Sequence, residues 1–248
     1  MASLSFVGLA FYVLVLIGAF SVRSAAGFGA GLIAVPMLAF ILPVSTAVAV
    51  ATALTTLTSV HQVTRDWRHI AWRQFAIVEF YTIIGIGLGF YFINLLDEDT
   101  LRRSLGAFLI LYSVHALWKA NATPMLPTRW HGALAAGAGT VGGLFSALFG
   151  GGVGPIYVVY FNMLGMEKTV FRVTMSAVVL IGGFARLAGY ASYGFYGGST
   201  MTLLAVGLPL VVVGSWAGER FARWFSVQMF ARFVGGLVLL SGVALLLK

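Results

Sequence analysis

Between Phe75 and Leu96 the chain runs through 22 residues with a single charge, Glu79. A helix of ~20 residues spans the ~30 Å hydrocarbon core of a bilayer, and stretches of this kind recur along the whole sequence. Full-length apolar helices are expected at 5–26, 44–63, 74–94, 103–118, 131–149, 169–191, 200–219 and 229–247. Two shorter apolar pieces, 31–42 and 153–164, would rise only ~18 Å at 1.5 Å per residue, about half a bilayer core. Hydrophobic residues make up 60% of the 248 and charged residues 9%, more apolar surface than a soluble domain of this length can hide. Period-two alternation is absent, which argues against a β-barrel. The expected class is an all-α polytopic membrane protein.

The net charge of +8 would suggest nucleic acid in a soluble chain. Here the basic residues fall in loops. Arg65, Arg68 and Arg73, then Lys119 and Arg129, then Lys168 and Arg172, then Arg220, Arg223 and Arg232 are ten of the fifteen Lys and Arg residues. Placing these four loops in the cytoplasm satisfies the positive-inside tendency, so no nucleic-acid partner is expected. The chain then alternates correctly only if 5–42 leaves and returns to the outer side and 131–164 leaves and returns to the inner side. Both termini are expected outside, in a bacterial-type inner membrane. No basic residue precedes the first apolar run, so it reads as a membrane segment and not as a cleaved leader. The absence of cysteine removes disulfides and thiolate chemistry.

Each short piece follows a glycine cluster. Residues 27–36 read G-F-G-A-G-L-I-A-V-P and residues 150–155 read G-G-G-V-G-P. Gly29 and Gly31 align with Gly150 and Gly152 at a shift of 121, while Gly85 and Gly89 align with Gly214 and Gly218 at a shift of 129. The chain therefore reads as one membrane domain built from two repeats, 1–120 and 121–248, each of four full helices and one short helix after a Gly-rich bend. With five segments per repeat, the second is inverted relative to the first. Gly85-x-x-x-Gly89 and Gly214-x-x-x-Gly218 fit close helix packing. Inverted repeats with interrupted helices are a transporter architecture, with the solute near the midplane.

A short helix that opens at a glycine bend exposes N–H groups without intrahelical partners at the positive end of its dipole. Glycine lets a ligand approach the backbone closely, so such a bend can cradle an anion. The candidate binding residues are Gly27, Gly29, Ala30 and Gly31 at the first bend and Gly150, Gly151 and Gly152 at the second. Thr52, Thr174 and Ser176 could add hydroxyls, although a back-bond to the preceding helical turn is the plainer role for such residues. Arg23 could offer a bidentate fork, snorkel to the interface, or pair with Glu79. Arg186, late in its helix, reads as an entrance residue or a snorkelling one. His61 and His115 sit near helix ends. A proton route through Glu79 or a histidine and a simple gradient-driven uniporter are both open, so protons stand as a candidate coupling ion.

The run Gly27-Phe-Gly-Ala-Gly-Leu-Ile-Ala-Val-Pro36 resembles the first glycine signature of the sulfite exporter TauE/SafE family, with Ala30 in place of a common glycine. Leu148-Phe-Gly-Gly-Gly-Val-Gly-Pro155 is similar to the second glycine motif. Phe171-Arg-Val-Thr-Met-Ser176 and Ala185-Arg-Leu-Ala-Gly-Tyr190 are similar to patterns of some members. The resemblance implies a secondary transporter, an exporter, of small sulfur oxyanions such as sulfite or of organosulfonates. It would work by alternating access, with the anion held by the two bends near the midplane. No cofactor or metal is called for. An anion channel could use the same cradle. An embedded enzyme would need clustered acids, nucleophiles or metal ligands, and the four histidines, 61, 69, 115 and 131, are scattered.

Overall fold

The computed structural model describes residues 5–26, 29–93, 95–118, 130–150, 154–221 and 227–247. Among these residues there are ten α-helices and no strand. They are α1 (Phe6–Ala26), α2 (Ala30–Leu38), α3 (Val44–Asp66), α4 (Trp72–Ile93), α5 (Glu98–Trp118), α6 (His131–Phe149), α7 (Gly154–Met163), α8 (Lys168–Ser192), α9 (Gly198–Phe221) and α10 (Val227–Leu247), with a 3₁₀ turn at Trp67–His69. Six of the described helices, α1, α3, α4, α6, α8 and α9, are long and apolar enough to cross a membrane. The chain is an all-α polytopic membrane protein, as its apolar runs required. α2 and α7 have only 9 and 10 residues, so the two short pieces are real helices of about half-bilayer length.

α3 and α8 form the centre. α3 is buried continuously from Ala47 to Thr56 and lies against α8 along its length. The two run antiparallel. Thr56 meets Gly183 near their middles, and Arg172 pairs with Asp66 at 3.3 Å at one end. That end is arginine-rich: Arg65, Arg68, Arg73 and Arg172 gather around the 66–72 corner. The 193–197 connection lies at the other end, where the Tyr196 hydroxyl donates to the Ala49 carbonyl at 3.3 Å.

Outside this pair, α1 packs on α9, α4 on α6, and α5 on α10. α2 packs on α1 and α3, α7 packs on α6 and α8, and α9 and α4 flank α3 and α8 respectively. Exchanging each helix of α1–α5 for the one five later leaves this set of neighbours almost unchanged.

Glycine sets the closest of these approaches. A methyl group on Gly85 would lie 2.1 Å from the Thr140 carbonyl oxygen, and one on Gly143 would lie 2.2 Å from that of Thr82. At the α1–α9 contact, a methyl on Gly218 would lie 2.2 Å from the Ser21 oxygen, and one on Gly214 would lie 2.8 Å from that of Ile17. Backbone meets backbone in both places because no side chain intervenes. The partners correspond as well. Gly85 and Gly89 face Thr140 and Leu144, which stand 123 positions after Ile17 and Ser21, the residues that face Gly214 and Gly218. The apolar faces left over, such as Phe80 and Tyr91 on α4 and Val212 and Trp216 on α9, point outward. That is the side a bilayer would cover.

α5 begins at Glu98, five residues before its expected start. Its first turn holds Glu98 and Asp99, and negative charge there suits the positive end of the helix dipole. Asp97 accepts the Thr100 hydroxyl, which holds its carboxyl below the usual carboxylate range. Glu98 also reaches across to α3, where its Oε1 accepts the backbone N–H of Val44, and that of Ser45 at 3.3 Å. The preceding residue, Pro43, offers no side-chain cap, so α5 caps α3.

Gly85→Ala and Gly218→Ala each force two backbones apart. Each is expected to cost about 3 kcal/mol of stability, the upper end for overpacking, read as a lowered unfolding midpoint in detergent. Glu98→Ala removes a cap and is expected to cost about 1 kcal/mol in the same measurement.

Candidate functional site

The two glycine bends have the backbone that only glycine adopts readily. Gly29 has φ +99° and starts α2, with Ala30 and Gly31 buried behind it. Gly150 has φ +67° and ends α6, donating its N–H to the Ser146 carbonyl. A methyl on Gly150 would lie 3.1 Å from the backbone of Val48 on α3. The neighbouring candidates Gly27, Gly151 and Gly152 lie outside the described residues.

In their described parts the bends do not face one another. α2 lies against α1, α3 and α10, whereas α7 lies against α6 and α8, so the α3–α8 pair runs between them. Along α3 they also stand at different levels. Gly150 abuts Val48, while Arg23, near the end of the helix that leads to Gly29, donates from Nη2 to the Ser59 hydroxyl at 2.6 Å. Val48 and Ser59 are eleven residues apart, ~16 Å of helix. Thr174 and Ser176 are equally distant from the second bend. The Thr174 hydroxyl accepts the N–H of Ala71 at 3.0 Å, which ties α8 to the arginine-rich corner, and Ser176 donates to the Arg172 carbonyl one turn back at 2.9 Å. Thr55, Thr56 and Thr58 also back-bond within α3. Thr52 differs from them. Its buried hydroxyl stands beside that of Tyr190 without closing a hydrogen bond of good geometry.

Around the second bend the fold assembles a polar cluster that the sequence did not reveal. Arg186 on α8 is 3% exposed and donates from Nη1 to the Ser146 hydroxyl of α6 at 3.1 Å. Ser146 in turn donates to the Gly143 carbonyl at 2.9 Å. Thr82 of α4 and Tyr157 of α7 share a hydrogen bond of 3.0 Å. Thr82, Ser146, Tyr157 and Arg186, with the start of α7 at Gly154, line a small cavity of about 10 Å³, room for roughly one water. Nε and Nη2 of Arg186 make no hydrogen bond. Arg186 is therefore neither at an entrance nor snorkelling: Gly182, one turn before it, leaves room for the guanidinium inside.

Glu79, one turn before Thr82, does not pair with Arg23. It is 6% exposed, and neither carboxylate oxygen has a hydrogen-bond partner. A methyl on Gly182 would lie 3.4 Å from Nη1 of Arg186 and 3.5 Å from Oε1 of Glu79. The two charges thus flank Gly182, yet the ion pairs among the described residues are Arg102–Asp99 and Arg172–Asp66. Glu79 also lines a much larger cleft of about 430 Å³ between α4 and α8, whose other walls include Val63, Trp72, Phe75, Phe80 and Ile181. Glu79 is the one charged residue in that lining.

On the opposite side of Arg186 an aromatic stack closes the site. Tyr190 lies parallel to Phe195 at 5.4 Å and meets the edge of Phe90 at 5.2 Å, and Phe90 stacks on Tyr193 at 5.6 Å. The Tyr190 hydroxyl donates to the Ala147 carbonyl just before the second bend. The Glu79–x–x–Thr82 and Arg186–x–x–x–Tyr190 spacings each put a charge and a hydroxyl one turn apart on one helix face. That is the legible trace of this site in the sequence.

A polar cluster with a buried guanidinium between membrane helices is what an anion carrier needs, and comparison with known proteins agrees. The family model described as "Sulfite exporter TauE/SafE" matches residues 11–245. The chain belongs to the sulfite exporter TauE/SafE family. A curated relative, the "Probable sulfite/organosulfonate exporter TauE" of Cupriavidus necator, is 25% identical over 230 residues, 91% of this chain and 88% of the relative. No solved structure matches the chain. Membership in TauE/SafE makes the chain an integral membrane transporter of the exporter class rather than an enzyme.

Gly150→Ala puts an L side chain into left-handed backbone against Val48. It is expected to lower stability by about 1–2 kcal/mol, checked by thermal unfolding in detergent, while Gly194→Ala, at φ +73° in open space, carries only the backbone part of that cost.

Proposed function

We propose that this chain carries small sulfur oxyanions, sulfite or organosulfonates, outward across the inner membrane by alternating access. The anion is held at Arg186. The observation that carries the proposal is a guanidinium buried between membrane helices with Nε and Nη2 unpartnered. Charges in such places are costly and serve solute or ion paths, and a planar fork matches an oxyanion bidentately. The family's description and the relative's name supply the sulfur.

In this reading Ser146, Thr82 and Tyr157 complete the oxyanion shell. α7 adds the free N–H groups of its first turn, which favour negative charge. Thr52 and Gly150 stand nearby, which brings the second bend to the edge of this shell. Gly27, Gly29, Ala30, Gly31, Arg23 and Ser59 form the corresponding place in the first repeat; Thr174 and Ser176 brace the arginine-rich end. The neighbour pattern and the 123-position correspondence favour a duplicated chain with halves 1–120 and 121–248. The arginine-rich end then faces the cytoplasm and both termini lie outside.

A cavity the size of one water is too small for sulfite, so binding needs α4, α7 and α8 to part. The cleft that Glu79 lines is bordered on the arginine-rich side by Val63, Ile70 and Trp72, and the aromatic stack lies on the other side of Arg186. A carrier closed at one end and reached from the other fits alternating access better than it fits an open channel.

Arg186→Gln removes the charged fork. In proteoliposomes it is expected to slow sulfite and ethanesulfonate flux at least tenfold, a loss of about 1.4 kcal/mol or more of anion binding. Arg172→Gln, altered at the surface ion pair, is expected to stay within about twofold of wild type. Wild-type flux in Arg186→Gln would refute the assignment, and single-channel currents in a planar bilayer would refute the carrier.

A further inference from the structure

From the placement of Glu79 we infer a proton-binding site coupled to the anion: Glu79 takes up one proton when a monovalent anion binds at Arg186. The inference rests on the anion site proposed above and adds its coupling ion.

Glu79 and Arg186 flank Gly182 without touching, and both keep unpaired polar atoms: two carboxylate oxygens on one, Nε and Nη2 on the other. With no solute present they neutralise each other across that gap, and a small rotation of either side chain closes it. An anion on the guanidinium ends this arrangement. Glu79 would then be a second buried negative charge with no counterion, which the low-dielectric interior penalises heavily. A proton on one carboxylate oxygen removes that charge. The balance is simple: one carboxylate and one proton give one carboxylic acid, and the site carries the same net charge before and after loading.

The surroundings leave Glu79 as the group that must respond. From α8 it faces Arg186. From α7 it faces Tyr157, whose hydroxyl is engaged with Thr82. α6, packed on the other flank of α4, has no titratable residue beyond His131 at its first position. The end of α3 contributes Val63 to the cleft wall. Glu79 borders the cleft of about 430 Å³ between α4 and α8, in whose otherwise apolar lining it is the one charged residue. The second repeat lacks a counterpart: counted at the 129-position offset, Glu79 corresponds to Leu208, so a single proton accompanies each anion.

The probe is ethanesulfonate, ionised at every pH used, so that the ligand itself does not titrate. Purified full-length wild type in detergent is expected to bind it more weakly as pH rises above the range in which Glu79 ionises. The loss should approach tenfold per pH unit, with close to one proton taken up per ligand in weak buffer containing an indicator dye. Glu79→Gln, permanently neutral, is expected to bind with an affinity that is flat with pH and to take up no proton. Glu79→Asp should keep the slope, shifted along the pH axis. Binding by Glu79→Gln with the wild-type pH slope, or wild-type binding without proton uptake, would overturn the coupling and leave the Arg186 site standing. Absence of ethanesulfonate and sulfite binding by wild type at any pH would overturn the Arg186 site and the coupling together.

Discussion

In a bilayer core there is no water to solvate a guanidinium, so everything around Arg186 has to stand in for it. Ser146 supplies one acceptor, Glu79 supplies opposite charge across Gly182, and Tyr190 with its aromatic neighbours keeps the hydrocarbon away. These groups come from α4, α6 and α8, and they reach one another because glycine keeps the helices close. Gly139 and Gly143 bring α6 onto the backbone of α4, Gly183 brings α8 onto Thr56 of α3, and Gly182 thins α8 where the charges lie. The same glycines that look like packing devices in the sequence thus fix the distance between the two buried charges. A larger residue at Gly182 would fill the gap between Glu79 and Arg186, the gap on which the proposed anion and proton sites depend.

A gap of this kind is useful only if it changes size. The polar cavity holds about one water, whereas the neighbouring cleft is some forty times larger. Opening one into the other requires α7 or α8 to shift relative to α4, and the contacts say which shift is easier. α7 is short, begins just after the second bend, and packs on α6 and α8. α4 and α6 are locked backbone to backbone and are expected to move as one body. α8 is tied to α3 and, through Thr174, to the arginine-rich corner. By these contacts the short helix is the element least held, and the Tyr157–Thr82 hydrogen bond is the contact that its displacement would break.

Much of this fold can be read from the chain alone because a bilayer imposes length and polarity on every segment. α6 falls on its expected residues 131–149, and α8 is within one residue of expectation at each end. Gly85, Gly89, Gly214 and Gly218 pack helices as their spacing suggests. The site is less legible, for two reasons. Depth misleads at Arg186: α8 has 25 residues, longer than the core requires, so a residue six from its end still lies inside. Partners are invisible where they come from far along the chain. Thr174 stands 122 positions after Thr52, close to the offset of the glycine clusters, but Ala71, 103 positions away, claims its hydroxyl. Glu79 and Arg23 look like partners because both are rare charges, yet Arg23 is already engaged by Ser59 on the other flank of α3. Offsets identify equivalent backbone positions. They do not identify which side chains the tertiary fold leaves unpaired.

That distinction bears on why a duplicated chain would concentrate its chemistry in one place. Arg23 and Ser146 stand 123 positions apart, the offset that relates the helix contacts of the proposed repeats. Each takes part in an arginine–serine bond between the first and third helices of its half, with donor and acceptor exchanged: Arg23 of α1 to Ser59 of α3, and Arg186 of α8 to Ser146 of α6. The two bonds brace equivalent helices. Only the second has polar company. Thr82 corresponds to Val211 at the 129-position offset, and Tyr157 corresponds to the apolar stretch 33–36. Ile33, Val35 and Val211 are buried among other hydrophobic residues. Among the described residues the first brace has no unpaired buried donor, whereas the second has unpaired donors and an opposing carboxylate. In the proposed reading, corresponding helices share their neighbours but differ in their side chains, and that difference assigns the solute to the second half.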